Sequence, residues 1–250
     1  MITDVVRGII SYFRALSYLG KGRLGLLAMA PGALGAALGA IYIYLAYSYS
    51  DNIAAWIMGI YPFEQGEATT TFITQWFTFI LLTVLYFILL KYVILIIGGP
   101  FMSPFSERIE QIIRGAHPTA RFSAAQFVKD IIRALRLNVR NLLREIGWTL
   151  LLLLLSLFAV LAPFTSIALF LVGAFYAGYG NLDFTMERHL NYQESVDFVK
   201  RNKGVALGNG IGFMVLFTIP VLGMFIALPL SAAAGTIETI RALDRENLLK

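Results

Sequence analysis

Long apolar runs separated by short polar segments make up most of the chain, and two of these runs carry a proline near the middle. The run 147–180 is interrupted at Pro163, and the run 205–235 at Pro220. Each half holds about 15 to 17 residues, or roughly 23–26 Å of helix, less than the ~30 Å of a hydrocarbon core. The pattern predicts two helix pairs that enter a bilayer and turn back. Four short full spans are the alternative.

Two other apolar runs, 24–49 and 72–97, are long enough to span a membrane. The first is rich in glycine and alanine, which favours close packing against a neighbouring helix. The second is followed by a Gly-Gly-Pro sequence at 98–100, which predicts a helix break. The intervening segment 51–71 carries no Lys or Arg, so it is predicted to face outward, with the N-terminus inside.

The remaining segments have amphipathic or polar patterns. Residues 1–20 show helical apolar spacing with a polar face and predict an interfacial helix, and 104–146 predicts two cytoplasmic or interfacial helices. The tail 236–250 is predicted to be a short charged helix. The polar face of the segment 123–146 carries a basic stripe: Lys129, Arg133, Arg136, Arg140 and Arg144. This stripe would either concentrate anions or lie on anionic lipid headgroups.

The composition places all 250 residues in one membrane domain. Hydrophobic residues make up 58% of the chain and charged residues 14%, and the mean hydropathy is +0.73, beyond what a soluble domain of this length accommodates. The absence of cysteine excludes disulfides and thiolate metal sites. No nucleotide-binding or hydrolase motif is found, so the chain is predicted not to be an enzyme, to need no cofactor and to bind no nucleic acid.

Candidate anion sites lie at the tips of the two helix pairs. A half-helix that begins inside a membrane has free N–H groups and a positive dipole end, which suit an anion. The residues concerned are Pro163, Thr165, Ser166, Pro220 and Gly223. The alternative is that the prolines only make the turns and that both tips are packed.

A second candidate is the turn that precedes the first span, Gly20-Lys21-Gly22-Arg23. Its glycines expose backbone N–H groups and its two cations add charge, which suits an oxyanion such as sulfate. The alternative is an ordinary positive-inside turn that contacts lipid phosphate.

A third candidate lies just past the predicted break, where Glu107, Arg108 and Glu110 would line a pore entrance if partly buried. An exposed helix with surface ion pairs is the alternative. A carboxylate–histidine group also follows the first helix pair: Asp183, Glu187 and His189. It lacks a nucleophile motif and metal-ligand spacing, so it does not change the prediction of a non-enzyme.

Three segments together resemble one family. They are the sequence Gly-Pro-Phe-Met-Ser-Pro-Phe at 99–105 leading to Glu107 and Glu110, the stretch 179–184, and the final pair with Pro220 and Pro229. In their order and spacing they are similar to the CysZ-type sulfate permeases and the etoposide-induced proteins. The resemblance implies two true spans, two hemi-penetrating helix pairs and an oligomer. It also implies channel-like uptake of sulfate for cysteine synthesis, with sulfate bound at the turn from Gly20 to Arg23.

We therefore expect an all-α membrane protein with two transmembrane helices, two proline-broken re-entrant pairs and amphipathic interfacial helices. The expected function is a channel-like or facilitative permease for a small oxyanion, sulfate first, in a bacterial inner membrane. Its expected partners are membrane lipids and further copies of itself. The alternative is a non-transporting, membrane-organising or assembly protein, since Lys91 is the one ionisable residue within the apolar segments.

Overall fold

The computed structural model describes residues 1–19, 68–115, 124–219 and 222–249, together with Gly32, Ala33, Ala37, Ala40 and Tyr44. Every regular element in these residues is a helix. They are α1 (Ile2–Leu19), α2 (Ala68–Arg114), α3 (Ala124–Ser156), α4 (Ala162–His189), α5 (Tyr192–Arg201), α6 (Lys203–Phe217) and α7 (Leu222–Arg245). The all-α prediction is therefore confirmed for the described part of the chain.

Two helices in this part are long and apolar enough to cross a membrane: α4, and α7 from Phe225 to Arg245. The predicted segment 72–97 lies inside α2. The predicted first span 24–49 lies outside the described residues, apart from the five isolated positions given above. The helical part of the predicted tail, 236–250, is not a separate helix, because it continues α7 without interruption as far as Arg245.

Both proline-marked breaks in the apolar runs are confirmed. The first pair turns between Ser156 and Ala162, and Pro163 lies in the first turn of α4. A proline fits there because its missing N–H would have no partner within the helix. The second pair turns between Phe217 and Leu222, and Pro220 itself lies outside the described residues.

The break predicted at 98–100 is wrong, since α2 continues through Pro100 and Pro104 to Arg114. Local propensity predicted an end to the helix there, but packing keeps it helical. Met102 and Phe105, on the next turn, are fully buried. Their burial stabilises the helical course against the two hydrogen bonds that the prolines remove.

Glycines allow α4 and α6 to pack with their backbones almost in contact. A Cβ atom at Gly210 would lie 1.6 Å from the carbonyl oxygen of Ala174, and one at Gly178 would lie 1.8 Å from that of Ala206. α1 approaches the same helix closely, because a Cβ at Gly208 would lie 2.3 Å from the carbonyl oxygen of Val5. α6 is therefore held between α4 and α1.

The contacts fix the directions of the helices around α4. α2 runs parallel to α4, because Lys91 lies beside Gly173 and Glu110 lies beside His189. α3 runs antiparallel to α4, as expected for the two arms of a helical hairpin. The contact of Arg133 with Leu190, at the far end of the hairpin from its turn, agrees with that direction.

The second hairpin brings its open end to the same side of the molecule. α6 and α7 are antiparallel, because Gly223 packs on Leu216 near the turn while Asn202 contacts Glu246 at the open end. α1 runs parallel to α6 and begins beside Gly204. The helical prediction for 1–20 is thus confirmed over Ile2–Leu19, whereas its interfacial position stays a prediction.

The exposed surface of α3 is more apolar than that of a soluble amphipathic helix, although Lys129, Arg136 and Arg144 are also exposed. Its exposed face carries large apolar side chains: Val128, Ile132, Leu135, Val139 and Leu143. Its buried face carries polar ones: Asn138, Asn141, Glu145 and Thr149. An apolar outside and a polar inside suit a helix surrounded by lipid that lines a polar interior.

Candidate functional site

The predicted pore-entrance residues lie on the last turns of α2. Glu110 is buried, while Glu107 is half-buried and Arg108 is exposed. Gln111 links the latter two, since it donates to Glu107 (3.1 Å) and accepts from Arg108 (3.3 Å). Glu110 therefore points into the protein, and its two predicted companions remain at the surface.

Three basic side chains surround the carboxylate of Glu110. Arg188 donates to Oε2 from Nε and Nη2, at 3.0 and 2.9 Å. Arg114 donates to Oε1 at 3.0 Å, and Nε2 of His189 lies 2.9 Å from the same oxygen. Burial raises the pKa of Glu110, but the hydrogen bond with His189 and the charge and hydrogen bonds of Arg188 outweigh it and lower the pKa from 4.5 to about 2.

A cluster of buried hydroxyls continues inward from Arg188. Nη2 of Arg188 donates to Ser106 at 3.0 Å, and Ser106 lies 2.9 Å from Thr185 and 2.8 Å from Thr236. All three hydroxyl residues are fully buried, and they come from α2, α4 and α7. We call these three hydroxyl residues, together with Glu110, Arg114, Arg188 and His189, the Glu110 cluster. Its polar side chains link α2, α4 and α7.

A second buried ion pair lies deeper, where α2, α3 and α4 meet. Nζ of Lys91 contacts both carboxylate oxygens of Glu145, at 2.6 and 2.5 Å, and donates to the carbonyl of Gly173 at 3.2 Å. The hydroxyl of Tyr92 donates to Oε2 of Glu145 at 3.0 Å. Lys91 and Glu145 each expose only 2% of their surface.

Two members of the basic stripe on α3 contact other parts of the protein, and the stripe's position on lipid headgroups stays a prediction. Arg133 pairs with Asp183 at 2.9 Å and also donates to Ser195 and to the carbonyl of Leu190. Arg136 lies over the ring of Tyr192 at 4.4 Å. These contacts join this end of α3 to α4, to Leu190 and to the start of α5.

Arg140 lies further along the stripe and contacts the neighbouring helix. Its guanidinium is 5.7 Å from the ring centre of Tyr179, and Nη1 lies 3.4 Å from the oxygen of Asn141. Lys129, Arg136 and Arg144 are exposed. The stripe therefore separates into inward-facing and solvent- or lipid-facing members.

At the first hairpin tip, Pro163 occupies the first turn of α4 as predicted. The hydroxyls of Thr165 and Ser166 both donate to the carbonyl of Ala162, at 3.0 and 2.8 Å. They are therefore bonded within the tip in this conformation. At the second tip, the N–H of Gly223 donates to the carbonyl of Ile219 at 2.8 Å, and Gly223 is buried.

Large apolar side chains cover the outside of the first tip. Phe158, Val160 and Phe164 are 66%, 82% and 69% exposed. The predicted anion-binding turn Gly20-Lys21-Gly22-Arg23 lies outside the described residues, as does Pro220. Among the described residues, the first tip and the Glu110 cluster lie at opposite ends of α4, so the structure does not bring them together.

The carboxylates and histidine that follow the first helix pair go to different partners. Asp183 pairs with Arg133, Glu187 accepts a hydrogen bond from Ser103, and His189 contacts Glu110. Within the described ranges, no group of three or more His, Asp or Glu side chains is arranged to hold a metal ion.

Comparison with known proteins identifies the family. The family model described as sulfate transporter CysZ/etoposide-induced protein 2.4 matches residues 11–227, most of the chain. The chain belongs to this family. The resemblance seen in the sequence is thereby confirmed.

Relatives named sulfate transporter CysZ occur in several Pseudomonas species. One from Pseudomonas syringae pv. tomato is 28% identical over 147 residues, 58% of each chain. One from Pseudomonas fluorescens Pf0-1 is 24% identical over 212 residues, 84% of each chain. One from Pseudomonas fluorescens Pf-5 is 26% identical over 155 residues. The chain spans 58% of the first relative and 61% of the last, less than two thirds of either.

In this CysZ family member, sequence reasoning missed Glu145, Arg133 and Arg188 as interior groups. The sequence did contain a signal for Glu145. Lys91 lies in an apolar segment, and a lysine there requires a counter-charge. Glu145 was assigned instead to an interfacial helix, and it lies 54 residues away in sequence. Long-range pairs of this kind leave no local pattern.

Proposed function

We propose that the chain is a facilitative, channel-like permease for a small oxyanion and that sulfate is its substrate. The family match over residues 11–227 carries the proposal, together with the relatives named sulfate transporter CysZ. In this proposal the protein lies in a bacterial inner membrane with its N-terminus in the cytoplasm. It supplies sulfate for cysteine synthesis, acts as a homo-oligomer among membrane lipids and uses no cofactor.

The polar interior supports the proposal. Arginines concentrate near the open ends of the hairpins, where Arg188 and Arg133 are partly buried beside hydroxyl groups. Positive charge held in a low-dielectric cleft raises the local concentration of anions. Glu110 orients Arg188 and partly balances its charge, which suits an entrance that must release its substrate.

Anion capture is assigned to Gly20, Lys21, Gly22 and Arg23, and passage to the hairpin tips. Thr165 and Ser166 donate within their own turn, so the tip near Pro163 offers the dipole of α4 rather than free hydroxyls. The tip near Pro220 and Gly223 is assigned the same role. Neutral dipoles bind an anion weakly, as a conducting path requires.

Uptake of radiolabelled sulfate into proteoliposomes of the purified protein tests this function, with sulfite, phosphate and chloride as competitors. We expect sulfate entry above that of empty vesicles. A folded and inserted protein that passes none of these anions would contradict the permease and favour the membrane-organising alternative.

Arg23→Ala tests the capture turn. We expect sulfate uptake to fall at least fivefold while the melting temperature is unchanged. Lys129→Ala is the matched control, because it also removes one positive charge, from an exposed position on α3. Equal uptake by the two variants would remove the turn from the pathway.

A further inference from the structure

The buried pair of Lys91 and Glu145 is weak evidence of a stabilising role. Replacing a buried ion pair by apolar side chains of similar volume is often neutral or stabilising, because the Coulombic gain barely offsets desolvation. Ionisable side chains at membrane depth are therefore a mark of function. The pair lies inside the apolar length of α2, with both partners 2% exposed. We look for a role in binding a charged solute.

The groups around the carboxylate of Glu145 form an oxyanion-binding set. Nζ of Lys91 contacts both oxygens, and the hydroxyl of Tyr92 donates to one of them. A Cβ atom at Gly173 would lie 3.4 Å from Oε1, so glycine leaves the carboxylate room on the side of α4. The carboxylate thus accepts hydrogen bonds from Lys91 and Tyr92, and the same two donors would suit two oxygens of a tetrahedral anion.

An unfilled donor lies next to this set. Asn141 precedes Glu145 by one helical turn on the same face of α3, and it is fully buried. Its Nδ2 has no hydrogen-bond partner among the described residues. A buried N–H without a partner costs about 1–3 kcal/mol, which an incoming acceptor would recover.

The same face leads outward to a cation. The oxygen of Asn141 faces Nη1 of Arg140 at 3.4 Å, and Arg140 is only half-buried. A polar strip along α3 therefore connects Lys91 with the arginines near the open end of the first hairpin. An anion that enters there would pass Arg140 and Asn141 before it reaches Lys91, although Asn138 on the same face presents an acceptor oxygen without a partner among the described residues.

We propose that Lys91, Tyr92 and Asn141 form an internal site for sulfate or a similar tetrahedral oxyanion, and that Glu145 is a tethered competitor that occupies the site when no anion is bound. The inference rests on the proposed function and adds a site within the membrane to it. An entering anion displaces the carboxylate from Lys91. When the carboxylate of Glu145 returns to Lys91, it displaces the anion. The site therefore binds the anion weakly enough to release it.

The decisive variant replaces both members of the pair, Lys91→Met with Glu145→Met. Because neither charge is left unpaired, this variant is expected to fold with an unchanged or higher melting temperature. Sulfate uptake should fall at least tenfold. The matched control neutralises the exposed pair Lys200 and Asp197, Lys200→Met with Asp197→Met, and should transport as the unmodified protein does.

Glu145→Gln tests the competitor separately. Without the carboxylate charge, the site should bind sulfate at least tenfold more tightly in equilibrium binding of radiolabelled sulfate to detergent-purified protein. If this variant does not fold, Glu145→Asp withdraws the carboxylate by one methylene and should tighten binding at least threefold.

Failure of the inference is distinct from failure of the permease. A folded double-methionine variant with normal uptake overturns the internal site and leaves the permease intact. If the unmodified protein transports no sulfate, the binding assay still decides. Tighter sulfate binding by Glu145→Gln than by the double-methionine variant supports the site, and equal binding overturns it.

Discussion

At the scale of single residues, Glu110 links charge to stability. Its pKa of about 2 in the folded protein lies below the ordinary 4.5 because His189 and Arg188 outweigh the effect of burial. A carboxyl group whose folded-state pKa is lowered stabilises the protein fully above its unfolded-state pKa. That contribution is lost as the pH falls from 4.5 towards 2. We expect the melting temperature in detergent to decrease over this interval.

Glu110→Gln is the comparison that isolates this effect. The variant should be less stable than the unmodified protein at pH 6, because Arg188 then faces no counter-charge. The difference between the two proteins should shrink towards pH 3. A difference that stays constant with pH would mean that Glu110 is not the group responsible.

Residue-level prediction from the sequence succeeded where one side chain carried the signal. Lys91 was recognised as an exception in an apolar segment, whereas Glu110 was named only as a pore-entrance candidate with an exposed helix as the alternative. Partners were not recognised, because pairs such as Arg133 with Asp183 depend on which helix faces lie together. The anion-binding turn at Gly20–Arg23 remains a prediction, as it lies outside the described residues.

At the scale of helices, a proline predicted a helix end only where the turn around it is exposed. Pro163 marks a real helix start, and the turn before it is exposed. Pro100 and Pro104 do not end α2, because the following turns are buried against α4 and α7. Helix ends can therefore be predicted from proline in an exposed turn, but not from proline within a packed interface.

Glycine at the α4–α6 contact gives a prediction for stability. Gly210→Ala places a methyl group 1.6 Å from the carbonyl oxygen of Ala174, so the two helices must move apart. We expect a loss of about 3 kcal/mol or more, the upper range for overpacking. Thermal unfolding in detergent measures it.

Gly147→Ala is the control for that experiment. Gly147 lies on an exposed face of α3, and no atom of the described residues lies within 4 Å of a Cβ placed there. The exchange should stabilise the protein by about 0.5–1 kcal/mol, since alanine is the better helix former. If Gly210→Ala were tolerated equally well, the α4–α6 approach would have to be looser than described.

At the scale of the whole molecule, the two ends differ in character. Asp4, Arg188 and Arg245 lie at one end with the open ends of both hairpins. The other end of the first hairpin is the exposed apolar turn at 157–161. This polarity follows from chain direction, because α2, α4 and α7 run one way while α1, α3 and α6 run the other.

The lengths of α2 and α4 bear on how deep the first hairpin reaches. Lys91 lies beside Gly173. From that level, α4 extends back about 16 Å to Ala162, whereas the parallel α2 extends back about 34 Å to Ala68, at 1.5 Å per residue. Ala162 then lies near the level of residue 80, about 12 Å from the residue-72 end of the apolar segment 72–97 and about 26 Å from its other end. The first hairpin therefore stops short of the residue-72 end of that segment, and whether it is re-entrant or fully spanning stays a prediction.

Cysteine labelling tests that depth, because the chain has no cysteine of its own. Val160→Cys, at the 82% exposed tip position, should resist a membrane-impermeant maleimide from both sides of the membrane. Lys200→Cys, at the charged end, should react in inside-out vesicles and not in right-side-out vesicles. Reaction of both positions after detergent solubilisation is the control for accessible thiols.

The two alternatives give opposite labelling patterns. If α3 and α4 were full spans, their turn would reach the far surface, and Val160→Cys would react in right-side-out vesicles. If Lys200→Cys reacted there instead, the protein would be inverted and its open ends would face outward. A hairpin that enters from the cytoplasm and stops within the bilayer requires two results together. Val160→Cys is not labelled from either side, and Lys200→Cys is labelled from the cytoplasmic side. In that arrangement the 2% exposed pair of Lys91 and Glu145 lies between the tip and the cytoplasmic entrance.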